Sequence, residues 1–234
     1  MPTVPFTRRR FVSALAAGSV AAACPWARAA DAPKAAWRNY SKLTVIDALG
    51  GPGSANKPGK PLDAADLADV RASGITAVNL TVSGVGSYAH DYDKTIAQIA
   101  QCDREITLHP DVLMKFNDAR DFALAKRSGK LAIIYGFQDA TPLAEDLDRL
   151  EIFRGLGVRI IQLTYNRRNL VGDGCLEPGN AGLSQFGKTL VERMNAANML
   201  VDLSHCGRRT TDEAIAASTK PVAITQAGCA ALSD

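Results

Sequence analysis

Histidine is scarce in this sequence, with three in 234 residues, and aromatic residues make up only 6%. No CxxC pair occurs among the five cysteines, which argues against a zinc ribbon or a thioredoxin-type redox site. No GxGxxG follows an early apolar run, which weakens a dinucleotide-binding reading. There is no repeat of solenoid period, and the longest apolar run is too short to span a bilayer comfortably. What is present is ordinary for a globular chain: 47% hydrophobic and 22% charged residues. Long disorder, collagen-like repeats and a polytopic membrane protein are therefore excluded. The length suits one large domain or two small ones, with ample apolar material for a core.

The formal net charge is +3, but it is unevenly placed. Residues 1–29 hold Arg8, Arg9, Arg10 and Arg28 and no acid; without them 23 basic residues face 24 acidic ones, a net of −1. The basicity belongs to the leader, so nothing points to a nucleic-acid-binding body. The leader itself runs from Thr7-Arg8-Arg9-Arg10-Phe11 through an alanine-rich apolar stretch to Ala27-Arg28-Ala29, a small-x-small cleavage site. Residues 1–29 thus read as a twin-arginine-type signal peptide, with the twin-arginine export machinery as partner and a periplasmic or exported destination. Residues 30–42 form an N-terminal extension. A weaker alternative is a lipid anchor through Cys24, which follows Val20-Ala21-Ala22-Ala23; Pro25 and the missing leucine count against it. No transmembrane span is expected in the mature chain. An oxidising compartment permits disulfides among Cys102, Cys175, Cys206 and Cys229, and buried free thiols are the other reading.

From residue 43 short β-branched runs alternate with longer stretches of helical periodicity. Strands are predicted at 43–47, 75–80, 112–116, 131–135, 158–163, 199–203 and 222–225. Helices are predicted at 63–73, 92–108, from Asn117 or Asp118 to 127, and at 146–154, 184–195 and 210–217. The alternation implies a parallel α/β sheet with crossover connections. An open doubly wound sheet and a closed barrel both have this pattern. The expectation is a (β/α)8 TIM-barrel type over residues 43–234, incomplete, with seven of eight strands present.

In such a barrel the functional groups lie at the carboxyl ends of the strands. Asp47, Gln138, Asp139, Tyr165, Asn166, Asp202 and His205 follow or end predicted strands and converge on one mouth. His205 is the leading candidate, because a neutral imidazole can ligate a metal or move protons near neutral pH. Buried carboxylates such as Asp47 and Asp202 need a partner or a metal; for Asp202 the alternative is a turn cap involving Ser204 and Thr210. His90 and His109 sit in loop or helix-end positions that suit a structural role.

Four segments, GLGVRIIQLTYNRRN at 155–169, GLSQFG at 182–187, VERMN at 191–195 and MLVDLSH at 199–205, resemble the membrane dipeptidase (renal dipeptidase) family of metallopeptidases, and the similarity runs over residues 43–234. The resemblance implies a (β/α)8 barrel, two zinc ions sharing a bridging carboxylate and a water, and cleavage of dipeptides. It also implies where the ligands belong. A first-strand Asp-x-His-x-Asp is here Asp47-Ala48-Leu49-Gly50-Gly51, which puts Leu49 and Gly51 at two metal-ligand positions. Gln138 stands at the bridging glutamate, Tyr165 at a substrate-contacting histidine, and Gln226 at a second metal-ligand histidine. His205 matches a metal-ligand histidine. A later aspartate and a substrate-binding arginine would fall beyond Asp234.

Leucine and glycine side chains have no lone pair for a cation, and a neutral glutamine cannot bridge two dications as a carboxylate does. A tight binuclear zinc site is therefore not expected, although Asp139, Glu177 or Cys206 beside His205 could make a mononuclear one. The expectation is a dipeptidase-like hydrolase of peptide (amide) bonds with a degenerate metal site, taking a small peptide or amide as substrate. His205 would be ligand or base, Gln138 and Asp139 polar contacts, and Tyr165 and Asn166 substrate contacts. The alternative is a catalytically inactive periplasmic protein that binds small molecules or peptides, or serves as an accessory factor. Homo-oligomerisation is left open.

Overall fold

The computed structural model describes residues 39–53 and 60–228. The leader, Cys24, Cys229 and the end of the chain lie outside the described residues. Among the described residues there are six strands: β1 (Ile46–Asp47), β2 (Ala77–Thr81), β3 (Leu113–Lys115), β4 (Leu131–Phe137), β5 (Val158–Gln162) and β6 (Leu200–Asp202). Six helices alternate with them: α1 (Ala64–Ser73), α2 (Tyr88–Leu108), α3 (Arg120–Ser128), α4 (Arg149–Gly155), α5 (Gln185–Ala196) and α6 (Arg208–Ala217). Among the described residues no helix is long and apolar enough to cross a membrane.

Local chemistry sets several helix ends. Asp63 caps α1 by accepting from the amides of Ala65 and Asp66, while the Asp66 carboxylate accepts from the Asp63 amide, a reciprocal capping box. Gly74, at φ 66°, ends it in the left-handed conformation that glycine adopts without strain. Ser184 caps α5 through the Gly187 amide. Helix α2 starts four residues before the predicted Tyr92, because Asp91 accepts from the Ser87 amide and closes a turn there.

All strand pairings are parallel, in the order β1-β2-β4-β5-β6. A single parallel bridge between Asp202 and Ala223 extends the row. Six of the seven predicted runs are thus strands, and run 222–225 contributes this one bridge among the described residues. Strand β3 has no separate place in the row. Leu131 donates to the Val112 carbonyl and Ile133 accepts from Phe116, whereas Ala132 donates to Thr76 and Gly136 accepts from Val82. Odd and even residues of β4 therefore serve opposite edges, and β3 shares with β5 the edge that β2 does not use. This parallel wall with helices packed on it is the α/β architecture of the TIM-barrel type.

Strand β4 is buried along its whole length. Leu131, Ile133, Tyr135 and Phe137 join the larger core with Leu143, Leu150, Phe153 and Ile161. Ala132 and Ile134 face the other way, into a smaller cluster with Ala77, Ile160 and Phe116. Burial on both faces explains why the run LAIIYGF has no polar alternation.

Candidate functional site

Strand periodicity carries the smaller, inner apolar cluster into a polar layer at the carboxyl ends of the strands. Ala77 is followed on the same face of β2 by Asn79, Ile134 by Gly136 on β4, Ile160 by Gln162 on β5, and Leu200 by Asp202 on β6. The Gln162 side chain, 1% exposed, donates to the carbonyls of Gln138 at 2.7 Å and Thr164 at 2.8 Å. Its Oε1 accepts from Gln226 Nε2 at 3.4 Å. Asn79 Nδ2 donates to the Ala48 carbonyl at 2.9 Å, tying β2 to the turn after β1. Asp202, also buried, accepts from the Ser204 amide and hydroxyl and from the Thr225 amide and hydroxyl. Oδ1 thereby closes the turn at Ser204, and both oxygens also hold Thr225 of the 222–225 segment to β6. The expected cap with Ser204 is present; Thr210 instead donates to the Asp173 carbonyl.

His205 lies beyond this layer. Its ring stacks on Tyr165, with centroids 4.3 Å apart and planes 22° from parallel, and its Nδ1 lies 2.8 Å from Asn166 Oδ1. An amide oxygen there requires a proton on Nδ1, which leaves the Nε2 lone pair available as base or ligand. The Cys175 thiol donates to the same oxygen at 3.5 Å. His205 has φ 58°, a left-handed conformation disfavoured for a residue with a Cβ. The Cys175 amide on the His205 carbonyl, 2.8 Å, and the Gly207 amide on the Asp173 carbonyl, 2.8 Å, hold the turn in place. Strain maintained by a network of this kind is a feature of functional sites.

Asp139 is placed elsewhere. Its carboxylate, 3% exposed, accepts from Asn169 Nδ2 at 2.7 Å. Burial pushes its pKa up to about 6, against the opposing pull of Asn169 and the Thr141 and Ala140 amides; the nearby Asp91 charge adds to the rise. The grouping of Asp139 with the mouth is therefore corrected: as the odd residue after β4 it turns to the helix side, towards Asn169 and α2. Asp173 and Glu177, in the loop beyond Tyr165, are likewise occupied. Asp173 is held below the usual carboxylate range by a two-pronged Arg168 contact, and Glu177 accepts from the Arg168 amide.

The profile of the family described as membrane dipeptidase (Peptidase family M19) matches residues 34–234. The chain belongs to the membrane dipeptidase family. Dipeptidase tcpJ of Claviceps purpurea is 33% identical over 140 residues, covering 59% of this chain and 33% of that protein. An amidohydrolase from Pseudomonas aeruginosa is 34% identical with a TM-score of 0.70, over 80% of this chain and 53% of that one. The probable dipeptidase PvdM from the same species, 20% identical, shares the fold with a TM-score of 0.72, over 82% of this chain and 54% of its own. The chain thus spans about a third of the curated relative and about half of each solved structure.

M19 dipeptidases are metallopeptidases, a role that demands donor atoms at the ligand positions. Leu49 and Gly51 follow β1; the Leu49 amide donates to Asp47 Oδ1 at 3.1 Å, and Gly51 lies against Leu80. Neither side chain carries a donor atom. Gln162 contacts the Gln138 backbone carbonyl and the Gln226 carboxamide, and the side chains of Gln138 and Gln226 are both neutral. His205 supplies one imidazole nitrogen, and the Cys206 thiol beside Thr164 is pushed up to about 11 by burial, far from a ready thiolate. Among the described residues no group of three or more His, Cys, Asp or Glu is placed to hold a metal ion. This donor set does not fit a binuclear centre. The structure therefore brings together His205, Tyr165 and Asn166 in one group, and links Gln226 to Gln162, which also holds the Gln138 backbone carbonyl. Sequence reasoning missed Gln162 and Asn79; their signal is a carboxamide at an inward position of an otherwise apolar run.

Proposed function

We propose that this chain is a dipeptidase-like hydrolase directed at the peptide (amide) bond of a small substrate, with a degenerate metal site. The observation that carries the reading is the oriented His205, which presents Nε2 while Asn166 holds Nδ1. In this reading Nε2 takes a proton from the attacking water and returns it to the leaving amine. The Tyr165 ring keeps the imidazole plane fixed, and Asn166 holds its tautomer through the cycle. Zinc as the family's metal would require ligands other than Leu49, Gly51, Gln138 and Gln226. Turnover of a dipeptide panel by the full-length chain, alongside His205→Ala, tests the proposal. Turnover that vanishes in the variant supports it; no turnover above the variant ends it.

A second reading, retention of a peptide or amide without hydrolysis, is favoured by the neutral glutamines Gln138 and Gln226 at two of the ligand positions. Recovery of an intact bound peptide by mass spectrometry distinguishes the two. We also propose export by the twin-arginine route with cleavage near Ala29. The basic start, alanine-rich middle and small-x-small end of the leader support it. Replacing Arg8 and Arg9 with Lys should trap the precursor in the cytoplasm, read by fractionation.

A further inference from the structure

On the amino-terminal side of the polar layer, the same face of the sheet borders a cavity of about 500 Å³. Ile134, Ile160 and Leu200 wall it, each two residues before Gly136, Gln162 and Asp202 of the layer. Phe116, just past β3, and Phe122, in the first turn of α3, form another side, with ring centroids 4.7 Å apart and planes 43° from parallel. The volume is that of a small-molecule site, and its wall is hydrocarbon, which offers water few partners.

Two arginines stand at the rim of this cavity: Arg154, in the last turn of α4, is exposed, and Arg159, on β5, is half-buried. Backbone carbonyls orient both. Arg154 Nε donates to Ala197 at 2.8 Å; Arg159 Nε donates to Asn117 at 2.8 Å, and its Nη1 to Arg154 and Val158 at 2.9 Å each. Among the described residues Arg154 Nη1 and Nη2 and Arg159 Nη2 have no protein acceptor, and neither guanidinium forms an ion pair. Burial and the neighbouring Arg154 charge hold the Arg159 guanidinium below its usual pKa, with Asp118 and Asp121 pulling the other way. Both carboxylates are engaged elsewhere. Asp118, on the rim, takes a two-pronged contact from Arg120 at 2.6 and 2.9 Å, and Asp121 accepts from the Asn117 and Asp118 amides at 2.7 and 3.2 Å. The rim thus carries two oriented cations whose counter-charge the described residues do not supply.

An apolar wall and a cationic rim together select one ligand chemistry. A carboxylate takes charge-assisted hydrogen bonds from guanidinium nitrogens, and arginines already held by carbonyls lose little freedom in making them. An inorganic anion would leave the phenylalanine and isoleucine wall uncovered, and a neutral hydrocarbon would leave the cations unanswered. We propose that this cavity is a binding site for a small amphipathic monocarboxylate, its aromatic or alkyl body against Phe116, Phe122 and Ile160 and its carboxylate on Arg154 and Arg159. The polar layer separates the cavity from His205, so the proposal stands apart from the hydrolase reading.

Calorimetric titration of the full-length chain with 3-phenylpropionate, its neutral amide 3-phenylpropanamide, and acetate tests it. The variants are Arg154→Gln, Arg159→Gln and Ala119→Trp, the last adding bulk to the cavity lining from an exposed position. The expected result is one-to-one binding of 3-phenylpropionate, at least tenfold tighter than the amide and without measurable binding of acetate. Each arginine variant should weaken binding of the acid at least tenfold and leave that of the amide unchanged, whereas Ala119→Trp should weaken both. If Arg159→Gln fails to fold, judged by circular dichroism, Arg154→Gln carries the comparison. Equal affinity for acid and amide overturns the site, as does unchanged binding in the folded variants or no binding of 3-phenylpropionate. A dimer that Ala119→Trp dissociates, with no probe bound, gives the cavity to a second copy of the chain and overturns the proposal as well.

Discussion

At the scale of single residues, burial decides more than charge. Asp139 has an ordinary carboxyl pKa of 3.8 that burial raises to about 6 in the folded chain. Folding therefore favours its protonated form, and the penalty for holding the carboxylate grows as pH rises from 3.8 to about 6 and is complete above that. The difference is worth roughly 3 kcal/mol at most. Asp139→Asn keeps an oxygen for Asn169 Nδ2 and removes the charge. It should stabilise the chain by about 1–2 kcal/mol at pH 8 and by almost nothing at pH 4, read from urea denaturation at both values. The same reasoning ranks the thiols. Cys102 and Cys206 are both pushed up to about 11, chiefly by burial, while Cys175 is exposed. Brief iodoacetamide treatment of the native chain at pH 8 should label Cys175 well before the other two, checked by peptide mass spectrometry. The sequence made His205, Tyr165 and Asn166 legible as a group, because they end neighbouring strands. It misplaced Asp139, because one step past β4 reverses the face and only the Asn169 contact reveals which face is which.

At the scale of elements, what was readable is what is local. The start of α1 at Asp63, its end at Gly74 and the start of α5 at Ser184 follow from side chains that bond within three residues. Strand β3 was legible as a strand but not in its place, since its position depends on which edge of β4 is already taken. Run 222–225 was predicted as a strand, and it is tied to β6 by two backbone hydrogen bonds at Ala223 and by side chains, through Asp202, Ser204 and Thr225. Removing the carboxylate should therefore loosen the end of this segment around Thr225, beyond the two ladder bonds at Ala223. Asp202→Ala strands the Ser204 and Thr225 donors and should cost about 3 kcal/mol in denaturant unfolding, whereas Thr225→Val, which removes one hydroxyl, should cost about 1 kcal/mol. Faster hydrogen exchange confined to residues 222–226 and 200–204 would accompany the first change. Uniform acceleration across the sheet would show that the junction is not a separate unit.

At the scale of the molecule, family membership and donor chemistry pull in different directions, and metal binding measures which one governs. A ligand that binds only the folded chain raises stability by RT ln(1 + [L]/Kd). A zinc site of micromolar affinity at 100 μM metal would add about 2.7 kcal/mol, which for a chain of this size raises the melting temperature by roughly 5–10 °C. The inner layer offers carboxamides at Gln162 and Gln226, the bridging position holds the neutral Gln138, and the tip of β1 offers Leu49 and Gly51. Hydrophobic packing around β4 and the hydrogen bonds of Asp202 and Gln162 hold the wall without a cation. The expected outcome is a shift below about 1 °C on adding 100 μM zinc, and an equally small one after dialysis against EDTA. Elemental analysis of the purified chain should find far less than one zinc per molecule. A melting temperature that falls by several degrees in EDTA and returns with zinc would mean that other residues complete a coordination shell around His205.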